Sequence, residues 1–140
     1  MKNPKISIIT VIKNNKEYIE KNILSLINQN YKNYEHIIID GGSTDGSKEI
    51  IKKYRAKIAH FVSEKDKGIY DAMNKGIDLA SGDIIGILNS DDYFYENALQ
   101  IVKTYFETVP EIDFLFGSVH KHIIKHGFYP KKIYWTFNFY

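Results

Sequence analysis

Apolar and polar positions alternate along this chain in short blocks. The stretch "KISIITVI", Lys5 to Ile12, is β-branched and apolar at consecutive positions. Both of its faces need cover, which predicts a central strand of a parallel sheet. Ile19, Ile23, Leu24, Leu26 and Ile27 then recur at helical spacing, with Glu17, Glu20 and Lys21 among the outward positions, so an amphipathic helix is expected. "HIIID", His36 to Asp40, repeats the strand pattern. The glycines and N-cap residues of "GGSTDGS" break it before a helix near Lys48 to Arg55. A weaker strand over Ile58 to Val62, a helix over Ile69 to Leu79, a buried strand at "DIIGIL" and a helix over Glu96 to Thr108 complete the pattern. After Pro110 the chain turns strand-like and aromatic, which predicts a β-rich C-terminal tail.

Strands alternating with helices predict an α/β fold, a mostly parallel, doubly wound sheet flanked by helices with right-handed crossovers. Ligands of such a sheet sit outside the carboxyl ends of its strands. Those ends are polar here: Asn14 after the first strand, Asp40 closing the second, Glu64 and Asp66 after the third, and Asn89, Asp91 and Asp92 after the fourth. Side chains far apart in sequence are therefore expected around one cleft.

Composition narrows the picture further. A chain of 140 residues with 44% hydrophobic content can bury one sizeable core, so residues 1–140 are expected to form a single domain. A net charge of +2 is ordinary surface chemistry and gives no reason to expect a nucleic-acid partner. The absence of cysteine removes disulfides, thiolate zinc sites and cysteine nucleophiles, and fits a reducing, cytoplasmic setting. The first apolar run is too short to span a bilayer, and Asn14, Asn15 and Lys16 follow it where a signal peptide would stay apolar.

Asp91 and Asp92 are adjacent carboxylates at a strand end. They repel unless a cation or hydrogen-bond donors compensate, and a hard divalent ion such as Mg2+ or Mn2+ shared with phosphate oxygens does so. The plainer alternative is that Asp91 caps the next helix and Asp92 lies in solvent. A nicotinamide-binding Rossmann domain is disfavoured because "TVIKNNKEY" has no glycine and cannot form the G-x-G-x-x-G turn. "GGSTDGSK" lacks the spacing of a Walker loop, and a sugar nucleotidyltransferase would need a basic glycine-rich loop after the first strand.

The stretches "SIITVIKNN", "IIIDGGSTDGS", "EKDKGIYDAMNKGIDLASGD" and "IIGILNSDDYF" occur in order. Together, over about Lys5 to Phe94, the chain resembles the donor-binding half of a family-2 glycosyltransferase with the Rossmann-like GT-A fold. The resemblance implies metal-assisted, inverting transfer of a sugar from a nucleoside diphosphate to a hydroxyl of a sugar or lipid-linked acceptor. It implies that Thr10 and the backbone around Ile12 border the nucleoside, with Asn14 and Ser90 in the same donor-binding set. Asp40 is implied to accept from the base. A carboxylate suits the imide N–H of uracil, so a uridine diphosphate sugar is favoured. Asp66, Gly68, Asp71 and Asn74 are implied to line the base and ribose side, although helix capping explains any one of them alone. Where the family's metal motif reads D-x-D, this chain has Asn89 first, so the metal is expected to rest on Asp92 with Asp91 beside it.

An inverting transfer also needs a general base, which the family places in the acceptor half, and no residue here matches it. Glu107, Glu111 and Asp113 suit a helix end and a strand start. The expectation is that residues 1–95 are the donor-binding half and 96–140 the start of a truncated acceptor half. The alternative is a nucleotide-sugar-binding fragment without activity, or a chain that works with a partner. In the tail, His120, His122 and His126 would share a strand face and admit a zinc ion, but no fourth ligand is evident. Lys131 and Lys132 with Tyr134, Trp135, Phe137, Phe139 and Tyr140 suit either a peripheral contact at the inner face of the membrane or core residues awaiting cover.

Overall fold

The computed structural model describes residues 2–109, 111–117, 119–121 and 133–135. Contacts divide the chain into one unit spanning Met1–Pro110 and another spanning Glu111–Tyr140. The first is built on β1 (Ile6–Ile12), all of whose residues are buried. With β2 (Tyr34–Asp40), β3 (His60–Ser63) and β4 (Ile84–Ile87) it forms a sheet in the order β3-β2-β1-β4, every pairing parallel. β2 and β4 lie on opposite sides of β1, so the winding reverses between β1 and β4. An open parallel sheet leaves a crevice at its carboxyl edge where this happens.

The alternation of side chains along β1 and β2 decides what each face holds. Ile12 and Ile38 pack with Ile19 and Ile23 of α1 (Lys16–Ile27) and Ile51 of α2 (Ser47–Lys53). Ile6 and Ile8 on the same face meet Leu26 of α1 and Leu99 of α4 (Ala98–Thr108). Ile9, Val11, Ile37 and Ile39 point the other way, onto Ala72 of α3 (Ile69–Leu79). Each isoleucine taken fully out of water contributes roughly 1.5–3 kcal/mol, so this two-sided burial holds the sheet rigid beneath its rim.

Several boundaries differ from the expected ones, each for a local reason. β2 begins at Tyr34, because Tyr34 and Glu35 pair with Ile6 and Ser7. β3 begins only at His60, because Ile58 closes a 3-10 turn at Arg55–Lys57 and is buried in the core from outside the strand. α4 begins at Ala98, because Asn97 adopts a left-handed φ of 64° and the Ala98 N–H donates to Tyr95 O. β4 is buried on one face, not two: Ile85 and Ile87 are 45% and 42% exposed, since α3 packs on β1 and β2 and does not reach β4's outer positions. Leu24 is likewise exposed rather than a core residue of α1.

In the second unit β5 (Val119–Lys121) pairs antiparallel with β6 (Ile133–Trp135). The zinc reading of His122 and His126, and the surface reading of Lys131, Lys132, Phe137, Phe139 and Tyr140, lie outside the described residues. Among the described residues no helix is long and apolar enough to cross a membrane.

The amino ends of the strands are closed by a polar cluster. Buried Glu35 takes the Lys5 ammonium at 2.7 Å, the Ser7 hydroxyl at 2.6 Å and the Ser81 N–H at 2.7 Å. Burial alone would raise its carboxyl, but these donors outweigh it and hold the group down at about 2, from an ordinary 4.5. Burial has the opposite charge consequence for His36, whose imidazole is pushed down from 6.5 to about 3 and stays neutral. The unfolded chain therefore binds more protons than the folded one on the acid side. Stability is expected to be level above pH 6.5, to fall from there toward pH 3 as His36 protonates only in the unfolded chain, and to fall more steeply from 4.5 toward 2 as Glu35 adds its share. Urea midpoints measured from pH 7.5 to 3 test this, and a midpoint independent of pH over that range contradicts it.

Candidate functional site

At the carboxyl edge, where β1 and β4 diverge, a cleft of about 540 Å³ opens. Val11, Ile12 and Lys13 enter it from the end of β1, Asp66, Gly68 and Ile69 from the β3–α3 connection, and Asn89, Ser90 and Asp91 from the loop after β4. The loop after β2 is tied to the same rim by hydrogen bonds. The Asn14 N–H donates to Ser43 Oγ at 2.7 Å, the Thr44 N–H to Asn14 Oδ1 at 2.8 Å, and the Asn15 N–H to Ser47 Oγ at 3.1 Å. The Asn15 amide also donates to Ser90 Oγ at 2.9 Å, linking the β1 loop to the loop after β4.

Irregular loops leave backbone groups unpaired, and these side chains satisfy them. Asp45 does the same at the start of two helices. It accepts from the Lys16 N–H at 2.9 Å and from the Ser47 N–H and hydroxyl at 3.0 and 2.6 Å. The Ser47 hydroxyl, then the two amides, hold its carboxyl down at about 2, so it stays charged through the physiological range.

The residues expected at the donor site occupy three kinds of position. Asp66, Gly68, Asn89, Ser90, Asp91 and Ile12 line the cleft. Asp40 and Thr10 are fully buried beneath the rim. Asp40 accepts from the Ser43 N–H and hydroxyl and from the Ser63 hydroxyl at 2.6 Å, so it organises the turn after β2 and binds it to the end of β3. Thr10 turns its hydroxyl toward Asn22 and His36. Asp71, in the first turn of α3, accepts the Lys67 N–H at 3.0 Å and pairs with Lys75 at 3.4 Å; the amide contact leads in lowering its carboxyl. Asn74 lies exposed further along α3.

Two glycines stand beside Asp66 in this part of the rim. Gly41 faces the Asp66 carboxylate so closely that a Cβ would collide with it. Gly68, the residue before α3, has φ 125° and ψ 176°. Asp92 is pushed up by burial and by the charge of Asp91, and takes a long contact of 3.4 Å from the Asn89 amide. Adjoining carboxylates offer oxygen donors of the kind Mg2+ or Mn2+ takes, but the Asn89 amide turns its nitrogen, not its oxygen, to Asp92, and Asp91 alone of the two acids lines the cleft. Among the described residues no cluster of three or more His, Cys, Asp or Glu could hold a metal. Asp91 and Asp92 alone therefore do not make a protein-supplied metal site among the described residues.

Three features were not evident in the sequence. Lys13 places a cationic side chain in the lining of the cleft. Asn22 of α1 and Gln29, two residues past its end, are buried although the helical pattern assigned them no role. Glu107 is removed from consideration as a base: it accepts the Asn3 N–H at 2.7 Å, just before β1 begins. That is the opposite end of the sheet, separated from the rim by the length of β1, about 20 Å at the usual strand rise.

Comparison with known proteins gives the following. A model described as "Glycosyl transferase family 2" matches residues 7–140. A Haemophilus influenzae protein described as an uncharacterized glycosyltransferase is 42% identical over 105 residues, covering 71% of this chain and 41% of its own length. A Bacillus subtilis protein described as the putative teichuronic acid biosynthesis glycosyltransferase TuaG is 33% identical over 100 residues, covering 69% of this chain and 40% of its own. The crystal structure of S. aureus TarS 1-349 in complex with UDP-GlcNAc superposes with a TM-score of 0.66 and 27% identity, over 74% of this chain and 31% of that one. The chain thus spans well under half the length of each of these proteins.

The backbone of Gly68 lies in a region open to almost no other residue, while no atom stands within 4 Å of where its Cβ would be. Gly68→Ala is accordingly expected to lower stability by about 1–3 kcal/mol through backbone strain alone. Urea unfolding measures this, and a variant as stable as the parent would show that the loop adopts another conformation.

Proposed function

Because this chain belongs to glycosyl transferase family 2, we propose that its rim cleft binds the diphosphate of a nucleoside diphosphate sugar, with uridine the favoured nucleoside, for inverting transfer of the sugar to a hydroxyl. The observation that carries this reading is the meeting of Lys13, Asp66 and the Asn89–Asp91 segment in one cleft at the β1–β4 divergence. That is where a doubly wound sheet holds a nucleotide. The complex of TarS with UDP-GlcNAc, a protein of the same fold at 27% identity, supports the uridine assignment.

In this reading the apolar wall of Val11, Ile12 and Ile69 packs against the nucleoside, and Asp66 and Gly68 lie at the ribose. Asp71 and Asn74 sit at the margin of this site on α3. Asp40, already supplied by Ser43 and Ser63, reads a uracil imide only if the exposed Ser63 gives up its hydrogen bond to the incoming N–H. Asn14 and Ser90 fix the loops around the ligand. Thr10 supports them from below.

Asp91 and Asp92 are the residues that would hold Mg2+ or Mn2+, with the neutral Asn89 bringing a polar contact and no charge. The ion when bound neutralises the diphosphate and the negative charge that develops on the leaving group. Lys13 adds a cationic side chain to the lining of the same cleft. Because this set carries one carboxylate fewer than D-x-D-D would, the metal is expected to bind weakly alone and more tightly with the nucleotide present.

Calorimetry with uridine diphosphate and Mn2+ tests the assignment. Wild type is expected to bind, and Asp92→Ala to lose about tenfold or more in affinity, the usual penalty for removing a member of a metal site. Guanosine diphosphate is expected to bind more weakly. A wild type that ignores uridine diphosphate, or a variant that binds it equally well, removes the basis of the proposal.

A further inference from the structure

One face of α1 carries a polar stripe that the amphipathic pattern leaves unexplained. Asn22 and Ser25, three residues apart, share a row on α1, and Gln29, two residues past its end, continues it by donating its amide to Ser25 O at 3.0 Å. Asn22 and Gln29 are buried at 0% and 1% exposure. Apart from the links within α1 itself, the row hydrogen-bonds the main chain that follows β4. The Asn22 amide donates to Asn89 O at 2.8 Å and to Asp92 O at 2.9 Å. Ser25 Oγ accepts the Phe94 N–H at 3.1 Å. The Gln29 amide donates to Tyr95 O at 2.8 Å, and its carbonyl accepts the Leu99 N–H at 3.1 Å. Asn22 and Ser25 of α1, with Gln29 just past its end, thus supply side-chain partners to four backbone groups of the irregular segment before α4 and to one in α4's first turn.

Asn22 holds the end of that segment where the acids are. Asn89 O also accepts the Asp92 N–H at 3.0 Å, closing a tight turn with Asp91 inside it. The Asn22 amide therefore grips the carbonyls at both ends of this turn. Its own orientation is fixed from behind, because the Thr10 hydroxyl donates to Asn22 Oδ1 at 3.3 Å. A hydroxyl has one proton, so the Thr10 contact with His36 Nε2 at 3.0 Å is made by a donating imidazole N–H. Burial keeps that imidazole neutral. The series His36, Thr10, Asn22 then has a single direction of donation. It ends on the carbonyls of a turn whose two carboxylates repel each other and would otherwise spread.

We propose that Asn22 is a positioning residue that presets the Asn89–Asp92 turn, so that the acid pair is already in register before a cation and diphosphate arrive. This rests on the reading of the cleft given above for its ligand, though not for its geometry. A turn held in this way pays little ordering entropy on binding. A loosened turn has to be ordered by the ligand, so affinity falls even though every group touching the ligand is still present.

Asn22→Asp tests the assignment directly. It keeps the size of the side chain and the oxygen that faces Thr10, but replaces the doubly donating amide with a carboxylate aimed at two carbonyls. The expected results are about tenfold or greater weakening of uridine diphosphate binding in the presence of Mn2+, and at least about tenfold faster amide hydrogen exchange confined to residues 89–95. Amides of β1 and β2 should exchange as in wild type. Ser7→Ala is the control for a purely structural effect. It breaks the Glu35 cluster at the other end of β1 and is expected to lower the unfolding midpoint while leaving both readouts unchanged. If Asn22→Asp does not fold, Ser25→Ala, which removes the acceptor for Phe94 N–H, is expected to speed exchange over 93–95 and weaken binding by roughly two- to fivefold. Unchanged exchange over 89–95 in a folded variant overturns the proposal, whatever the ligand. Failure of wild type to bind uridine diphosphate overturns the functional reading alone, and the exchange measurement still decides the role of Asn22.

Discussion

The parallel pairing of β2 and β4 on either side of β1 is the constraint from which the rest follows. Because all four strands of this sheet point the same way, their carboxyl ends fall on one edge, and the loops that leave those ends meet whatever their separation in sequence. Lys13, Asp66 and Asp91 are neighbours around a cleft for this reason. The isoleucine layers on both faces make the arrangement stiff: shifting β1 by one residue in register would turn Ile8 and Ile12 toward α3 and leave Ser7 facing α1. The rim is consequently a fixed frame on which short loops can hold charged groups close together.

Polar bonding divides the molecule along the same axis. At the amino ends, the donors of Lys5, Ser7 and Ser81 converge on one carboxylate, Glu35, and close the sheet. At the carboxyl ends, side chains such as Asn14, Asp40, Asp45 and Asn22 spend their hydrogen bonds on the backbone of neighbouring loops. The side chains at the cleft surface, Lys13 and Asp91 among them, remain exposed and available to a ligand. Buried groups of the rim determine shape, and exposed groups determine chemistry.

Much of this was legible in the sequence, because the signals concerned are periodic or terminal. Uninterrupted β-branched runs gave β1 and β2, the apolar spacing of Ile69–Leu79 gave α3 with its observed bounds, and polar residues clustered where the strands end. What escaped has a common cause. An apolar count along α1 and its end treats the polar Asn22 and, past the helix, Gln29 as outward positions, whereas both are buried because a loop distant in sequence offers them backbone partners. The only trace was the row Asn22, Ser25, Gln29 at helical spacing, a polar stripe beside an apolar one. The exposure of Ile85 and Ile87 was equally hidden, since a run such as "DIIGIL" does not say that α3 stops short of the edge strand. Nor could composition show that Asp40 and Thr10 lie under the rim while Lys13 lies in it.

Paramagnetic broadening of amide resonances by Mn2+ in the presence of uridine diphosphate tests the convergence of these loops most directly. Residues 12–14, 66–69 and 89–92 are expected to broaden together, while Ser7, Glu35 and Glu107 at the far end of the strands keep their line widths. Broadening restricted to one of these segments, or centred on the amino ends of the strands, would contradict the account.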